Sequence, residues 1–569
     1  MTSSSAESCS LHGTSSPGKM LLLVAYALLA ALAVYVLHFC WWSRRRLPPG
    51  PMPIPLVGSM HLFLKRRAAD VLGEMVKRYR AVYTLRSGSA DMVLLNDWQL
   101  IKDTVVKNGD AYTGRVQNKT RDYMMGGNHG IIAVEGEKWR VQRRFALHAL
   151  RDLGFGKALM EEYILDELRH TSARFLAQAA SADDGAVDLF PVIQGCVGNV
   201  INHVVFGYRF DDLAHYLDDF LDASPLLSPN LEPNLEIPPL LAASLAQSAH
   251  CDVLQLQQFR LLLHRLHDGK EVNEIKNSIE GMGDKFGRDW RMLLLQFDFA
   301  RFVPYVFNDI FDAVNELKAK TLGRFREQIH SMERELMDDS EPRSLVEAYL
   351  HERNRLQKGC DDQLAGLVFD IWLAGFDTPI TTLHWMFLYM IHYPEVQHKI
   401  QAEIDQKIGR ETEVRMEHKN QLPYTYATVQ ELQRCINLLK FNVPRKTTTD
   451  VAIMGYQIKK GTIVVPQISA VMMDAELFPE PEKFKPDRFL TSDGYLDTGK
   501  LEALVPFSVG KRSCLGESLA RMELFLIFAN TLRQFAISKV PFQALPPLET
   551  RSMTHTTAKP YRCKLEQRL

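Results

Sequence analysis

A cysteine in a glycine-rich turn is the first place in this sequence where residue types and spacing could do chemistry. Cys514 lies in the stretch FSVGKRSCLG, behind an aromatic residue and an arginine, and an apolar amphipathic run, 517–535, follows it. The turn can expose the sulfur, and backbone N–H groups at the start of the next helix would favour thiolate over thiol. A thiolate held in this way can ligate haem iron. The alternative is a buried structural cysteine, the common fate of a free thiol.

A second chemical pattern, Ala-Gly-Phe-Asp-Thr, interrupts a long apolar run at 364–389. In a helix the Thr378 hydroxyl can bond the carbonyl of Ala374, and Pro379 cannot donate an N–H to the preceding turn. Both effects fall on one turn, so we expect a kink and a groove there. Asp377 is a carboxylate that would be costly to bury without a function, which argues against the alternative of a core helix weakened by its glycine.

Two further pairs of residues have helical spacing but carry little weight alone. Trp139 and Arg143 are four residues apart, and Glu431 and Arg434 are three apart. Both spacings place the two side chains on one helix face. A solvated basic face explains the first pair equally well, and a surface ion pair explains the second.

The elements that must position these residues belong to a large globular chain. It has 569 residues, of which 46% are hydrophobic and 24% charged, with a net charge of −1. This composition indicates a sizeable core and no overall field that would recruit nucleic acid. The eight cysteines lie far apart and form no CxxC pair, which favours a reducing compartment over a disulfide scaffold.

The N-terminus predicts a membrane anchor. After a polar segment at 1–19, the uncharged run from Met20 to Cys40 is followed by two tryptophans and by Arg44, Arg45 and Arg46. As a helix it would span about 31 Å, close to the thickness of a hydrocarbon core. We therefore predict a transmembrane signal anchor at 20–42, with a luminal tail and the arginines in the cytosol. A cleavable signal peptide is the rival, but the run is longer than usual and ends in large residues.

A proline-rich hinge and one atypical stretch complete the predicted domain organisation. Residues 43–60 are basic and then rich in proline, which predicts a semi-rigid spacer. The remaining residues, 61–569, read as one catalytic domain. Within it, the segment at about 212–270 is rich in proline and then apolar, and the family resemblance described below implies that it is atypical, either as an insertion or as a gene-model error.

Five motifs in this order resemble those of the cytochrome P-450 superfamily, and the C-terminal part is most similar to its microsomal, animal family 2-like clan. The motifs are WxxxR at Trp139–Arg143, AGx(D/E)T at Ala374–Thr378, ExxR at Glu431–Arg434, PxRF around Arg488, and FxxGxRxCxG with Phe507, Gly510, Arg512, Cys514 and Gly516. The resemblance implies a mainly α fold with small β-sheets, preceded by one transmembrane helix. It also implies haem b as cofactor.

The resemblance assigns roles to single residues. Cys514 would be the axial ligand of the iron and Phe507 would shield its sulfur, while Asp377 and Thr378 would manage protons. The residues that would pair with the haem propionates are Trp139, Arg143, Arg445 and Arg512. Glu431, Arg434 and Arg488 would form a structural cluster. Ile131 and Ile132, in the loop before Trp139, would form part of the substrate pocket wall.

The implied activity is monooxygenation of a lipophilic substrate, such as a xenobiotic, a fatty acid or a steroid. Without a phosphate-binding glycine fingerprint of its own, the chain would take electrons from NADPH-cytochrome P-450 reductase, with cytochrome b5 as a further candidate partner. Four cations are candidates for the docking face, namely Lys138, Arg140, Arg144 and Lys511. The alternatives are a peroxide-using isomerase of the same fold and a non-catalytic haem-binding or sensing protein. The implied location is the endoplasmic reticulum membrane, crossed once, with the catalytic domain in the cytosol.

Overall fold

The computed structural model describes residues 17–209 and 322–568, together with Asn315 and Lys318. Short gaps fall at 56–57, 64–67, 88–89, 118, 155–157, 183, 337–340, 357–360, 441 and 551–556. The segment at 212–270 lies outside the described residues.

Helices make up most of the described chain. Those before the undescribed stretch are α1 (Pro17–Cys40), α2 (Ala68–Tyr79), α3 (Trp98–Ile101), α4 (Lys119–Met125), α5 (Gly136–Asp152), α6 (Ala158–Ser181) and α7 (Leu189–Phe206). Those after it are α8 (Arg324–Glu335), α9 (Leu345–Leu356), α10 (Asp361–His392), α11 (Pro394–Lys407), α12 (Pro423–Ile436), α13 (Ile468–Met472), α14 (Thr498–Ala503) and α15 (Glu517–Gln534).

The strands form small sheets. In chain order they are β1 (Val82–Ser87), β2 (Ala90–Leu95), β3 (Gly114–Arg115), β4 (Ala186–Val187), β5 (Arg445–Lys446), β6 (Val451–Ile453), β7 (Tyr456–Ile458), β8 (Ile463–Pro466), β9 (Phe535–Lys539) and β10 (Cys563–Gln567). Among the described residues the sheet orders are β1-β2-β8-β5-β3, β4-β10-β9 and β6-β7. The prediction of a mainly α fold with small sheets is confirmed.

The core is built around α10, which is buried along most of its length and packs against α7 and α15. Local signals set the ends of these elements. Asp188 begins α7 by accepting a hydrogen bond from the N–H of Phe190 at 3.0 Å, and Gly207 ends it at φ 85°. That left-handed conformation carries little penalty for glycine.

Three described helices are long and apolar enough to cross a membrane. They differ in the fraction that is buried inside the protein. The windows in α7 and α10 are 78% and 72% buried inside the protein, whereas the N-terminal helix, Met20–Arg44, is 0% buried. The first two are therefore core helices of the globular domain. The N-terminal helix is the candidate membrane span, in agreement with the prediction from its composition.

Candidate active site

The cysteine loop lies between a 3-10 turn at Gly510–Arg512 and the start of α15. The N–H of Cys514 donates to the carbonyl of Phe507 at 2.9 Å and closes the loop. Gly510 has φ 72°, and a Cβ there would lie 2.4 Å from the carbonyl oxygen of Val105. A side chain at that position would push the loop away from its support, so the glycine holds the loop in place. The Cys514 residue itself is exposed.

The acid–base state of Cys514 differs from the expectation. Protein atoms surround most of the sulfur although one side is open, and this desolvation raises the pKa of the thiol. The Gly516 N–H and the Arg143 charge act in the opposite direction, while Glu517 raises the pKa further. The expectation that the start of the helix favours thiolate is therefore not met by the protein groups around the sulfur, because desolvation outweighs the Gly516 N–H. A bound metal ion deprotonates a coordinating thiol by itself.

Helix α5 supports the loop through its buried face. Trp139 is 4% exposed, and the guanidinium carbon of Arg512 lies 3.9 Å from the centre of its ring. One turn later Arg143 donates to the carbonyl of Ser513 at 2.9 Å. The two residues share one helix face, and both contact the segment that carries Cys514.

Buried arginines converge beside this loop. Arg115 and Arg445 stand directly opposite each other in the antiparallel β3–β5 pair, where like charges are destabilising. Burial and, after it, repulsion from neighbouring arginines, with Arg143 acting on all three, lower the pKa of Arg115 to about 10, of Arg445 to about 9 and of Arg512 to about 8. Because a guanidinium keeps its proton in proteins, these shifts mean that the positive charges are poorly compensated.

The hydrogen bonds of the arginines leave room for an anion. Arg512 donates to the carbonyls of Thr113 and Val134 at 2.9 and 2.6 Å. Arg445 donates through Nη2 to Val509 at 2.6 Å, while its buried Nη1 has no hydrogen-bond partner among the described residues. A Cβ built on Gly516 would meet no atom within 4 Å. Uncompensated cations, an orphaned donor and open space beside Cys514 fit a group that carries carboxylates, as haem does.

Arg115 is a member of this arginine cluster that the motifs do not reveal. It donates to the carbonyls of Ile132 and Pro444 at 3.0 and 2.9 Å. Its place beside Arg445 depends on the pairing of two short strands far apart in the chain. No local spacing signals that pairing.

The central turn of α10 is less buried than the rest of the helix. Ala374 is exposed and Thr378 is half-buried in a helix that is otherwise mostly buried. The Thr378 hydroxyl donates to the Ala374 carbonyl at 2.7 Å, the bond expected from the sequence. Asp377 is half-buried, and the helix continues through Pro379. The kink stays a prediction.

The glycine of this pattern has a packing role. A Cβ on Gly375 would lie 2.5 Å from Cδ1 of Ile201 in α7. Its absence lets the two central helices approach closely.

The loop before α5 is tied to α10 by one carboxylate. Asp370 is 2% exposed and accepts from the N–H groups of Ile131 and Ile132 at 2.7 and 2.9 Å. Arg121 donates to the same carboxylate at 2.8 and 3.0 Å. These bonds hold Ile131 and Ile132 against α10, and Ile132 remains 38% exposed. Asp370 is a second residue that motif reasoning missed, although a carboxylate in an apolar run was a signal for it.

Glu431, Arg434 and Arg488 form a buried ionic cluster. Arg434 makes two bonds to the Glu431 carboxylate at 2.8 and 2.9 Å, and Arg488 makes a third at 2.9 Å. The remaining guanidinium donors bond carbonyls, among them those of Met472 and Pro479 at 2.9 and 2.7 Å. The cluster joins α12 to the segment before α14 and lies apart from the arginines of the site.

Phe507 and the four candidate docking cations complete the predicted set. The Phe507 ring is covered by the guanidinium of Arg521, whose central carbon lies 4.8 Å from the ring centre. Lys511 pairs with Asp110, which also lies 3.9 Å from Arg140. Lys138 donates to the carbonyl of Asn128 at 2.6 Å, and Arg144 is exposed. Arg140 also lies 3.4 Å from Glu137, but α5 carries five arginines and lysines against two acidic residues, so the surface around it is positive.

Comparison with known proteins places the chain in a family. The model of the family described as Cytochrome P450 matches residues 48–565. "Probable cytochrome P450 CYP36A1" of Caenorhabditis elegans is 29% identical over 95% of this chain and 100% of its own length. "Cytochrome P450 2H2" of Gallus gallus is 31% identical over 88% of this chain and 89% of its own. "Cytochrome P450 2C23" of Rattus norvegicus is 32% identical over 87% and 88%.

These relatives confirm the predicted likeness to the family 2 group. The family match spans the cysteine loop, the central helix and the buried ionic cluster together. The chain therefore belongs to the cytochrome P450 family and is a haem-thiolate monooxygenase.

Proposed function

We propose that this protein is a membrane-anchored monooxygenase that binds haem b between α10 and the cysteine loop and oxygenates a lipophilic substrate. The observation that carries the proposal is the cluster of buried arginines beside an accessible cysteine. Burial, and after it repulsion from neighbouring arginines, lowers the pKa values of three guanidiniums, and one of them has a buried donor without a partner among the described residues. Two propionates would compensate them.

The residues present fit distinct tasks around such a cofactor. The haem would supply a redox-active iron at which dioxygen is activated. Cys514 would be its axial ligand. Arg115, Arg143, Arg445 and Arg512 would hold its carboxylates, and the covered Phe507 ring would limit access of water to the sulfur.

The distal residues would control protons and substrate access. Thr378 carries a hydroxyl on the exposed turn of α10, suited to hold and pass a proton, with Asp377 beside it in sequence. Ile131 and Ile132, fixed by Asp370, would present an apolar wall to the substrate. An apolar wall favours a lipophilic molecule over a charged one.

The proposal also includes the source of electrons and the orientation of the protein in the membrane. An NADPH-dependent reductase would dock on the positive surface around α5, and α1 would anchor the protein in the endoplasmic reticulum membrane with the domain at 61–569 in the cytosol. The short tail at 1–19 would be luminal. Protease added to sealed microsomes should then degrade everything after residue 46. Protection of the domain would show that it faces the lumen and would contradict the proposed orientation.

The central test is the spectrum of the reduced protein with carbon monoxide. Wild type should show the red-shifted Soret band of thiolate ligation, and Cys514→His should abolish it while haem is retained. Cys435→Ser is the matched control, because Cys435 is a free thiol in the ionic cluster. Persistence of the band in Cys514→His would disprove the ligand assignment.

The role of Thr378 is tested by coupling between electron use and product. Thr378→Ala should leave the carbon monoxide spectrum unchanged, because among the described residues the hydroxyl bonds the Ala374 carbonyl of its own helix. Product formation per NADPH should fall and peroxide should rise. Positioned proton transfer contributes about 10²–10⁴-fold, and water in the enlarged groove would keep the loss near the lower end. Full coupling in the variant would make Thr378 structural. Thr382→Ala, one turn away and bonded to the Thr378 carbonyl at 2.8 Å, is the control.

A further inference from the structure

The end of α1 is capped by a cation from the globular domain. The last carbonyls of a helix lack intrahelical partners and carry the negative end of its dipole. Here the carbonyl of Phe39 accepts from Nη1 of Arg86 at 2.7 Å and from the Ser43 hydroxyl at 3.2 Å. The guanidinium carbon of Arg86 also lies 4.6 Å from the centre of the Phe39 ring.

The guanidinium that caps α1 is itself fixed. Asp91 stands opposite Arg86 in the β1–β2 hairpin and accepts two bonds from it, both at 2.7 Å. The side chains of this pair are only 5% and 20% exposed. A bidentate, largely desolvated pair restricts orientation more than a solvated one. Arg86 therefore fixes the orientation of α1 relative to the hairpin.

The proline-rich segment that follows α1 lies along the same hairpin. The N–H of Thr84 donates to the Pro49 carbonyl at 2.9 Å, and Arg44 donates to the Pro51 carbonyl at 3.0 Å. A Cβ on Gly50 would lie 1.9 Å from the carbonyl oxygen of Thr84. The segment is thus packed onto β1, whereas the sequence predicts a spacer.

Exposed apolar side chains surround this junction. Trp41 and Trp42 are 66% and 65% exposed, and Met52 and Ile54 are 68% and 47% exposed. The Arg45 guanidinium stacks on Trp42 at 4.4 Å. Tryptophans flanked by arginine at the end of an apolar helix are typical of the membrane–water interface. The four side chains continue the apolar surface of α1 onto the domain, which makes a lipid surface their partner.

We propose that Arg86 and Asp91 join α1 and the β1–β2 hairpin into one rigid unit that fixes the tilt of the catalytic domain on the bilayer. The unit holds Trp41, Trp42, Met52 and Ile54 in the headgroup layer. This inference rests on the proposed membrane anchoring and haem binding, and adds to them a fixed geometry. Without the joint the domain would still be tethered, but its orientation would vary.

The test measures haem tilt by linear dichroism of the full-length holoprotein in oriented phosphatidylcholine bilayers. Wild type should show one preferred tilt, and Arg86→Ala should lose it while keeping the carbon monoxide spectrum. Arg169→Ala is the matched control, because Arg169 also makes a bidentate pair, with Glu413 at 2.9 and 2.9 Å, on another part of the domain. An unchanged tilt in Arg86→Ala overturns the proposal.

Additional readouts keep the test decisive. If Arg86→Ala does not incorporate haem, Asp91→Leu replaces it, since leucine has a similar size, accepts no hydrogen bond and releases the guanidinium. Loss of the preferred tilt supports the joint, and retention overturns it. Two wild-type measurements isolate the underlying proposal: release by alkaline carbonate would refute anchoring, and a missing Soret band would refute haem-thiolate ligation.

Discussion

Two groups of buried arginines in this protein differ in how their charge is compensated. In the ionic cluster, Arg434 and Arg488 are 0% and 9% exposed, and both bond the Glu431 carboxylate. In the arginine cluster beside Cys514, Arg115 and Arg445 face each other across a strand pair. The positive charges of the ionic cluster are compensated by a carboxylate of the chain, and among the described residues those of the arginine cluster are not.

The difference separates a structural role from a binding role. Burying a charge is costly unless it is paired, so the ionic cluster contributes to stability only as an intact unit. In the arginine cluster the protein itself does not offset the free-energy cost of burying the charges, as the lowered pKa values of Arg115 and Arg445 indicate. A site with buried and poorly compensated positive charges is stabilised when it binds an anion. Substitutions in the two groups should therefore act on different states of the protein.

The largest effect is expected from Glu431→Ala, which breaks the ionic cluster. It leaves two buried guanidiniums without a carboxylate, and breaking a buried pair costs about 3–5 kcal/mol. Haem-free and haem-bound forms should both lose that free energy of unfolding, as measured by urea denaturation.

Lys399→Ala is the control for this substitution. Lys399 pairs with Asp487 at 2.8 Å on the surface, with both side chains more than half exposed. Such pairs contribute about 0–1 kcal/mol. A Glu431→Ala protein as stable as the Lys399→Ala protein would contradict the structural assignment.

A smaller and more selective effect is expected from Arg445→Leu. It removes two bonds, to Ser508 and Val509, but also removes repulsion with Arg115. The haem-free chain should therefore change little in stability. Haem retention should fall, because a hydrogen bond to a charged group contributes about 1.5–3 kcal/mol, or roughly 10–100-fold in the rate of haem transfer to an acceptor protein.

The comparison fails if Arg445→Leu destabilises both forms equally. Arg445 would then be a structural residue like Arg434. Arg562→Leu is the control, since Arg562 pairs with Asp184 at 2.8 Å on the surface and should alter neither measurement.

The sequence predicts the ionic cluster better than the arginine cluster, and geometry explains why. Glu431 and Arg434 are one helical turn apart, so their meeting depends only on α12 forming. Arg115 meets Arg445 only because two two-residue strands pair across the fold. Such pairings depend on the whole core, and no local pattern encodes them.

Other outcomes follow the same division between local and non-local contacts. The membrane helix and the Thr378–Ala374 bond depend on residues near in sequence and could be predicted. The cap that Arg86 places on Phe39 joins two elements whose separate patterns say nothing about each other. The acid–base state of Cys514 could not be predicted because desolvation, a property of the folded surroundings, outweighs the nearby N–H group.

Glu523 is a third kind of buried ionisable group, one that is kept protonated and therefore neutral. This residue of α15 is 1% exposed, and neither carboxylate oxygen has a hydrogen-bond partner among the described residues. Desolvation raises its pKa well above the usual 4.5. Burial also raises the pKa of the neighbouring Cys196 thiol, to about 12, so this second buried group is neutral as well.

A gradual effect, which develops with pH, is expected from Glu523→Gln. Between pH 4.5 and the raised pKa, the folded chain holds one proton that the unfolded chain has lost. The stability of wild type should therefore fall as pH rises, by up to about 1.4 kcal/mol per unit from this group. Glutamine does not titrate, so the difference in unfolding free energy between variant and wild type should grow in favour of the variant from pH 5 to pH 8. Parallel pH profiles would mean that Glu523 is ionised in the fold and has an unseen cationic partner, which would place it with Glu431 among the paired carboxylates.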